Sequence, residues 1–338
     1  MKALKAFGPN NMQMVEKEIP AITNDSQVLV KITASGICGS DIHILNGNHP
    51  YVQYPRVIGH EAAGKVEKIG AAVTNFTVGD GVVVDPFLSC EKCYACKKGR
   101  PNSCPSIAVF GAHKDGLFQE YIVLEQNQLQ KYSARLTPEQ AATAEPYSIG
   151  MQANSRAGTA KGDLVLVHGA GPIGLIVCDI ASSLGADCII SEINEKRLAM
   201  AKHFGAKYMI NPAKEEISKR VMEISRGMGA NIIFDAAGAP NIVEDSLSML
   251  SCAGTLVPMT FGVKPIPIDL LPINKFELTI AGTRLHCSKF PELFNIMPER
   301  IDRINRLITH VFPLDEYEDA FAAAADKESG VCKVIIKF

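Results

Sequence analysis

The sequence predicts a two-domain α/β protein, and three observations lead to that fold class. The chain has 338 residues, more than the roughly 250 to 300 at which a single hydrophobic core stops growing. Up to about residue 145 it consists of short β-branched segments such as QVLVKITASGI, separated by Gly, Pro and Asn, which is typical of a compact, partly open barrel. From about residue 148 strand-like and helix-like segments alternate, and this alternation predicts a parallel sheet with helices on both faces.

The C-terminal end of the chain is a strongly apolar segment, CKVIIKF. Because so apolar a strand needs a sheet to join, we expect the tail to return to the first domain. The predicted domains are therefore residues 1–147 together with 286–338, and residues 148–285, with an active-site cleft between them.

Composition and charge exclude several classes of protein. The 47% hydrophobic and 21% charged residues and the net charge of −2 indicate a globular protein rather than a disordered or nucleic-acid-binding one. The N-terminus lacks the apolar core of a signal peptide, and no apolar run approaches the roughly 18 residues that span a bilayer. We therefore expect a cytoplasmic protein with reduced thiols and with no membrane or nucleic-acid partner.

Four cysteines, Cys90, Cys93, Cys96 and Cys104, lie in a polar loop at about 88–106. Thiolates at such spacings bind one zinc tetrahedrally at about 2.3 Å, and four sulfurs close the site to water, which makes it structural. The alternatives are packing cysteines, a redox pair or a nucleic-acid zinc ribbon. The polar neighbours argue against packing cysteines, and four clustered thiols are more than a redox pair needs. The slightly negative net charge argues against a nucleic-acid zinc ribbon. The other cysteines in apolar segments are predicted to pack in the core: Cys178, Cys188, Cys252, Cys287 and Cys332.

A second group of metal-binding residue types is dispersed along the chain: Cys38, His60, Glu61 and Glu145. Each alone has a plain structural explanation, such as a packing cysteine, a surface His–Glu pair or a loop glutamate. Together they offer the sulfur, nitrogen and oxygen donors of a catalytic zinc that keeps an exchangeable water.

The segment from residue 59 to 73 carries a specific resemblance. It matches the signature of zinc-containing medium-chain alcohol and polyol dehydrogenases at Gly59, His60, Glu61, Gly64, Gly70 and Val73. The four-cysteine loop is similar to the structural-zinc lobe of that family, and the resemblance covers essentially the whole chain. It implies a GroES-like catalytic domain, a Rossmann domain, two Zn²⁺ per chain, NAD, and a homotetramer or homodimer.

The resemblance also implies roles for individual residues. Cys38 and His60 correspond to ligands of the catalytic zinc, and Glu61 to a third ligand or a neighbour that exchanges with water. Glu145 stands where alcohol dehydrogenases have a cysteine ligand and polyol dehydrogenases a glutamate, which favours the polyol branch. Whether this carboxylate binds zinc directly or holds its water stays open.

Ser40 and His43 follow Cys38 by two and five residues, as the proton-relay residues of the family do. A hydroxyl followed by an imidazole allows short proton transfers near neutral pH. The alternatives are an ordinary turn residue for Ser40 and a surface residue for His43.

The segment VLVHGAGPIG follows a predicted strand and opens a predicted helix. Its glycines permit a tight turn and bring a pyrophosphate close to the helix N-terminus, where unpaired N–H groups favour anions. The proline suits the first turn of a helix, where its missing N–H does no harm. The predicted cofactor-binding residues here are Gly169, Gly171, Pro172, Ile173 and Gly174.

Glu192 ends the next predicted strand, eighteen residues after Gly174. A carboxylate there accepts hydrogen bonds from both ribose hydroxyls and repels a 2′-phosphate, so the sequence predicts NAD rather than NADP. Arg197 is a candidate for pairing with a phosphate or stacking over adenine, and an exposed helix residue is an equal alternative.

The substrate is harder to predict because pocket walls form no motif. Arg284 corresponds to a pocket arginine of polyol dehydrogenases, and its guanidinium suits the carboxylate of a sugar acid. Ile44 occupies a position where sorbitol dehydrogenases carry a tyrosine, which indicates a remodelled pocket. His113 and His286 are further pocket candidates, with structural roles as the alternative.

Stretches such as YPRVIGHE and RLHCSKFP resemble a bacterial branch containing starvation-sensing proteins and hexonate 5-dehydrogenases for galactonate, gulonate or idonate. We therefore expect zinc-dependent hydride transfer to NAD from a secondary alcohol of a sugar acid or polyol. Enzymatic alternatives are L-threonine 3-dehydrogenase and sorbitol dehydrogenase. An alternative of another class is a non-catalytic regulatory protein that binds NAD or a ligand. The complete set of candidate ligands, relay residues and glycines argues against it.

Overall fold

The computed structural model describes residues 1–239, 241–260, 265–326 and 328–338. The chain divides into two compact units: the first unit holds 1–145, 287–327 and 331–338, and the second holds 146–286 and 328–330. The first break lies two residues from the predicted limit at 147. No helix within the described residues has the length and apolar character needed to cross a bilayer.

The short segment 328–330 was not expected in the second unit. The side chain of Asn194 donates to the carbonyl of Glu328 at 3.0 Å, and Lys196 Nζ donates to that of Ser329 at 3.3 Å. These polar contacts attach the segment to the second unit.

The first unit is β-rich, as the short β-branched segments predict. Its strands before residue 145 are β1 (Lys2–Gly8), β2 (Asn11–Glu16), β3 (Gln27–Ile37), β4 (Arg56–Val57), β5 (Glu61–Ile69), β6 (Gly81–Val84), β7 (Phe87–Leu88), β8 (Ala108–Val109), β9 (Tyr121–Glu125) and β10 (Leu129–Lys131). Its helices there are α1 (Gly39–Leu45), α2 (Tyr94–Lys97) and α3 (Pro138–Ala142). Helix α4 (Ala144–Ala157) contains the break between the units.

The second unit alternates strands and helices. The elements are β11 (Leu164–His168), α5 (Pro172–Ser183), β12 (Asp187–Ser191), α6 (Glu195–Ala201), β13 (Ala206–Ile210), α7 (Ile217–Ser225), β14 (Ala230–Asp235), α8 (Ile242–Met249), β15 (Leu250–Pro258), α9 (Leu270–Phe276) and β16 (Thr279–Ile280). The strands form a parallel sheet in the order β13-β12-β11-β14-β15-β16. Its core includes Leu166, Ile189, Ile233 and Leu256, all fully buried.

The chain then completes the first unit with α10 (Phe290–Ile296), α11 (Ile301–Leu307), β17 (Ile308–Pro313), α12 (Tyr317–Ala325) and β18 (Lys333–Lys337). The main sheet has the order β10-β6-β5-β3-β18-β17, with β9 also paired to β3. The apolar C-terminal strand lies in this sheet, antiparallel to β3 and parallel to β17. This pairing brings the end of β3 beside the starts of β5 and β18.

Two clusters of buried side chains stabilise the first unit. One contains mostly β-branched and aromatic side chains, among them Val30, Ile32 and Phe110. The other joins β1, α1, α12 and β18, and in it the rings of Phe118 and Phe321 meet edge to face with centroids 5.7 Å apart. Apolar burial on this scale supplies the main driving force for folding of the unit.

The isolated cysteines differ in environment. Cys178 and Cys188 are buried, in agreement with the predicted packing role, and Cys287 and Cys332 are half-buried. Cys252 is exposed, so the packing prediction for it is wrong. Its strand β15 is irregular there, because the register against β14 shifts and the next residue, Ala253, has a φ of 59°.

Candidate functional site

The end of β3 and the start of β5 bring three predicted metal-binding side chains together. One donor atom from each of Cys38, His60 and Glu61 lies within 4.8 Å of the other two. Cys38 caps the N-terminus of α1, and Glu61 opens β5 opposite Gly36 of β3. The mixed sulfur, nitrogen and oxygen donors fit the ligand set of a catalytic zinc.

Two glycines make this close approach possible. A Cβ on Gly36 would lie 2.1 Å from Glu61 Oε2, so a larger residue would displace the carboxylate. Gly59, next to His60, has a φ of +93°, and a Cβ there would lie 2.7 Å from the Phe118 ring. Both positions therefore require glycine.

Asp41, which sequence analysis did not single out, lies beside the histidine. This buried carboxylate accepts hydrogen bonds from the backbone N–H of Cys38 at 2.9 Å and of Gly59 at 3.2 Å. Its Oδ1 lies 3.7 Å from His60 Nδ1, so the other ring nitrogen is the one available to a metal. Its place three residues after Cys38, at N3 of α1, is the feature that would have identified it.

The charges around His60 form a cation-attracting environment. Burial lowers the pKa of His60, but its interactions with the carboxylate of Asp41 and the sulfur of Cys38 outweigh burial and hold this pKa well above its usual value. A group of anionic side chains that favours a proton in this way also favours a metal cation.

Lys333 is the second functional residue that sequence analysis missed. Its side chain is 3% exposed and donates to both carboxylate oxygens of Glu61 at 2.8 Å and to the carbonyl of Ile37 at 3.1 Å. Burial lowers the pKa of Lys333, but the charge of Glu61 outweighs burial and raises it. Glu61 therefore balances a buried ammonium on one side and faces the candidate metal donors on the other.

The remaining candidate residues around the metal donors differ in placement. Glu145 is buried in the first turn of α4, and its charge contributes to the raised pKa of His60. Ser40 Oγ lies 3.5 Å from His60 Nε2, and His43 is exposed one helical turn further along α1. The proton relay and a direct metal contact of Glu145 stay predictions.

The cysteine loop forms a compact cage. The ligand sulfurs of Cys90, Cys93, Cys96 and Cys104 all lie within 4.8 Å of one another. The N–H groups of Lys92 and Cys93 hydrogen-bond the Cys90 sulfur and lower its pKa to about 6, which favours the thiolate that zinc binds. The 3.5 Å between the sulfurs of Cys93 and Cys96 exceeds the roughly 2.05 Å of a disulfide. The cage fits a structural zinc.

In the second unit the glycine-rich turn joins β11 to α5. Gly169 has a φ of +95°, and a Cβ on Gly174 would lie 2.0 Å from the Gly169 carbonyl oxygen. A Cβ on Gly171, the N-cap of α5, would meet open space, which leaves room for a ligand. Pro172 occupies N1, and Ile173 is half-buried beside it. This geometry suits a pyrophosphate at the helix N-terminus.

Glu192 is held against the same turn. Its Oε2 accepts the N–H of Ala170 at 2.8 Å, and its Oε1 accepts the N–H of Asn194 at 2.9 Å. The carboxylate thus lies at the end of β12 beside the glycine loop, where a ribose is expected. Arg197 is half-buried in the first turns of α6, where it stays a candidate for contact with the adenosine half.

Replacing Glu192 by alanine is expected to weaken NAD binding about tenfold and to increase the use of NADP, because the ribose acceptor and the repelling charge are both lost. Glutamine at 192 is the matched control. Because it keeps an acceptor, NAD binding is preserved better than in the alanine variant, while the use of NADP still increases. Steady-state KM values for both cofactors check this. Unchanged discrimination in both variants would contradict the assignment.

His168, the last residue of β11, is a buried histidine with a structural role. Its Nδ1 lies 2.9 Å from Ser191 Oγ, its Nε2 lies 3.4 Å from Ser246 Oγ, and burial lowers its pKa to about 4. The side chain therefore joins β11, β12 and α8 as a neutral imidazole.

The pH dependence of stability follows from this lowered pKa. Below the unfolded-state pKa of about 6.5 the unfolded chain binds the proton first, so stability falls as pH drops towards 4. We expect His168 to cost about 2 kcal/mol between pH 7 and pH 5. Denaturant unfolding at both pH values should show a smaller loss for His168→Gln than for the wild type. An equal loss in the two proteins would refute this linkage.

The predicted substrate-pocket residues are distributed over both units. In the first unit His113 is half-buried, and its Nδ1 accepts the N–H of Val109 at 3.2 Å. In the second unit Arg284 is half-buried and His286 is buried. Ile44 is 2% exposed and packs in the core of the first unit, so it belongs to the interior.

Comparison with known proteins supports the same interpretation. Residues 24–134 match the alcohol dehydrogenase GroES-like domain, and residues 172–299 match the zinc-binding dehydrogenase model. The starvation-sensing protein RspB of Escherichia coli K12 is 34% identical over 100% of this chain and 99% of its own length. L-threonine 3-dehydrogenase of Pyrococcus furiosus is also 34% identical, over 100% and 98%.

A solved structure shows that the likeness extends to the fold. The structure of rspB from E. coli CFT073, complexed with NADH, has a TM-score of 0.93 and 34% identity and covers 100% of this chain and 99% of that one. The predicted fold class, a GroES-like domain with a Rossmann domain, is confirmed. The chain belongs to the zinc-containing medium-chain dehydrogenase family of alcohol and polyol oxidoreductases.

Proposed function

We propose that the protein is a zinc-dependent dehydrogenase that transfers hydride to NAD from a secondary alcohol of a sugar acid, with a hexonate oxidised at C5 as the leading substrate class. The observation that carries this proposal is the convergence of one donor atom each from Cys38, His60 and Glu61. Three protein ligands leave room for an exchangeable fourth position, which is what a catalytic zinc needs.

The residues of the site fit this chemistry. A zinc held by these residues would supply Lewis-acid polarisation of the alcohol oxygen, and a nicotinamide would supply the hydride acceptor. Asp41 places its carboxylate beside the ring of His60, and Lys333 hydrogen-bonds the carboxylate of Glu61. Ser40 takes the proton of the substrate hydroxyl and His43, which is exposed, passes it to solvent.

Separate groups carry the cofactor and stabilise the fold. The turn from Gly169 to Gly174 holds the NAD pyrophosphate, and Glu192 accepts the ribose hydroxyls. The catalytic role belongs to the first unit and the NAD-binding role to the second. The four-cysteine cage holds a second, structural zinc.

Relatives support the choice of a sugar acid. L-galactonate-5-dehydrogenase of E. coli K12 is 30% identical over 100% of this chain, and an E. coli L-idonate 5-dehydrogenase structure matches with a TM-score of 0.90 and 26% identity. Within the chain, Arg284 supplies a guanidinium suited to a carboxylate. Glu145, in place of a cysteine ligand, is typical of the polyol branch.

L-Threonine is the second candidate substrate, because the P. furiosus threonine dehydrogenase is 34% identical over nearly its full length. Its hydroxyl is a secondary alcohol as well, so the same metal chemistry would serve. Threonine differs from a hexonate by carrying an ammonium group, which needs acceptors rather than donors nearby.

A panel of alcohols tests the proposed function. NADH formation is followed by absorbance with L-galactonate, L-gulonate, L-idonate, sorbitol and L-threonine, before and after chelation and zinc restoration. We expect zinc-dependent turnover that is fastest with one of the hexonates. Fastest turnover of threonine or sorbitol would reassign the substrate. Absence of zinc-dependent turnover on the whole panel would favour a binding protein without catalysis.

We further propose that the protein associates with copies of itself and that its other partners are small molecules. We also propose a cytoplasmic location. Strand β16 ends its sheet within the described ranges, and its Ile280 is 38% exposed. Leu270 and Leu271 of helix α9 are 65% and 69% exposed. An open sheet edge and exposed apolar side chains favour association with a second copy of the chain. Sedimentation should show a dimer or tetramer, and a monomer at micromolar concentration would oppose this part.

A further inference from the structure

A short segment from the C-terminal part of the chain lies against the turn that follows the ribose candidate. Residues 328–330, called the strap below, belong to the second unit, although the chain on either side of them belongs to the first. The side chain of Asn194 donates to the Glu328 carbonyl at 3.0 Å, and Lys196 Nζ donates to the Ser329 carbonyl at 3.3 Å. Both acceptors are backbone groups, so the contact depends on the path of the strap.

Gly330 gives the strap its close fit. Its φ of +87° lies in the left-handed region that favours glycine, and a Cβ there would lie 3.0 Å from Lys196 Cβ. The next residue, Val331, is buried in a core cluster of the first unit. The conformation of this glycine therefore brings the strap onto the first turn of α6.

Asn194 connects the strap to the cofactor candidate. Its Oδ1 caps α6 by accepting the N–H groups of Lys196 at 3.0 Å and Arg197 at 3.1 Å, while its Nδ2 donates to the strap. Its backbone N–H donates to Glu192 Oε1 at 2.9 Å. Because both ends of the Asn194 side chain are hydrogen-bonded, the strap helps to fix the direction of this N–H.

The backbone contacts of Glu192 arrange its carboxylate for a diol. An ionised carboxylate has about four acceptor positions, two on each oxygen. The N–H of Ala170 occupies one position on Oε2, and the N–H of Asn194 occupies one on Oε1. The second position on each oxygen suits one of the two adjacent ribose hydroxyls. The direction of the Asn194 N–H therefore influences one of the two ribose contacts.

We propose that the strap is a positioning element of the NAD site, which holds Asn194 so that Glu192 presents both carboxylate oxygens to the ribose. This inference deepens the proposed function and rests on the role proposed there for Glu192. A loosened strap leaves the charge of Glu192 in place, so the repulsion of a 2′-phosphate stays. Only the ribose contact is weakened. The strap thus contributes to the affinity for NAD(H) and not to the rejection of NADP(H).

Two variants on α6 test the strap. Asn194→Ser keeps a hydroxyl that caps α6 but has no amide to reach the Glu328 carbonyl. Lys196→Met removes the donor to Ser329 and keeps the apolar stem beside Gly330. In fluorescence titrations of the zinc-loaded full chain, we expect Asn194→Ser to weaken NADH binding about fivefold and Lys196→Met about threefold. NADPH binding should change by less than about twofold in both.

Two glycines supply a matched pair of variants. Gly330 and Gly227 have φ values of +87° and +83°, so alanine introduces similar backbone strain at either position. A Cβ at 330 would meet the Lys196 side chain, whereas a Cβ at 227 would have no heavy atom of the described residues within 4 Å. We expect Gly330→Ala to weaken NADH binding about tenfold and Gly227→Ala to leave it within about twofold of the wild type.

The titrations distinguish a positioning role from general damage to the fold. Equal weakening of NADH and NADPH binding by the α6 variants, or no weakening of either, would overturn the proposal. Equal losses for Gly330→Ala and Gly227→Ala would overturn it as well. A wild-type protein that binds NADPH as tightly as NADH would remove its basis in Glu192.

The titrations also keep this inference separate from the proposed function, because they need no alcohol substrate. Lack of turnover on the whole panel would refute the dehydrogenase proposal, while selective loss of NADH binding in the α6 variants would still support the strap. With an active enzyme, KM for NAD should rise by the same factors and kcat should stay within about twofold. A loss confined to kcat would contradict a positioning role for the strap.

Discussion

Alanine in place of His60 is expected to reduce alcohol oxidation by about a thousandfold or more. A Lewis acid stabilises the transition state by several kcal/mol, and each ~1.4 kcal/mol of this stabilisation corresponds to a factor of ten in rate. His60 supplies the nitrogen among the three converging donor atoms, so its loss leaves Cys38 and Glu61 unable to hold the ion tightly. The measurement is NADH formation with the best substrate of the panel, together with the zinc content of the same sample.

The structure offers a graded control for His60. Asparagine at position 41 keeps one acceptor for the backbone N–H of Cys38 or Gly59 but loses the charge beside His60 Nδ1. Changes to such supporting groups typically cost 10- to 100-fold in metal affinity or activity. We therefore expect Asp41→Asn to fall between the wild type and His60→Ala. His60→Ala with full turnover and an unchanged zinc content would refute the proposed ligand set.

Methionine in place of Lys333 is expected to destabilise the protein, after its metal has been removed with a chelator, by about 3–5 kcal/mol. Lys333 and Glu61 are both nearly inaccessible and joined by two 2.8 Å contacts, so removal of the ammonium leaves a buried carboxylate without its cation. The uncompensated charge of Glu61 makes the substitution destabilising. Methionine preserves most of the apolar stem of the lysine side chain. The free energy of unfolding in denaturant measures the effect.

Two further variants make the Lys333 experiment decisive. Adding Glu61→Gln to Lys333→Met removes the orphaned charge and should recover much of the lost stability. Lys337→Met, on the same strand, removes an ion pair with Glu139 in which the lysine side chain is 56% exposed, and should change stability by less than about 1 kcal/mol. A Lys333→Met loss as small as the Lys337→Met loss would show that the buried pair contributes little.

Short-range patterns explain why much of the site was predictable. The cage cysteines lie within one loop, so their spacing alone limits what they can bind. The glycine turn follows a strand and opens a helix, and its backbone φ and close contacts are those the motif requires. In both cases the residues that meet in space are neighbours in the chain.

Long-range partners explain what sequence reasoning missed. Lys333 is 272 residues from Glu61, and the two meet because β18 and β5 flank opposite edges of β3. The apolar tail predicted a strand joining a sheet, but alternation of residue types cannot specify its neighbours or its register.

We propose that the oxidation by NAD requires a divalent cation held by Cys38, His60 and Glu61. The most direct test of this requirement measures zinc content and NADH-forming rate in the same sample through chelation and stepwise zinc restoration. We expect the full rate with two zinc ions per chain and a negligible rate when only the cysteine cage is filled. Full rate with zinc in the cage alone, or with no zinc at all, would contradict it.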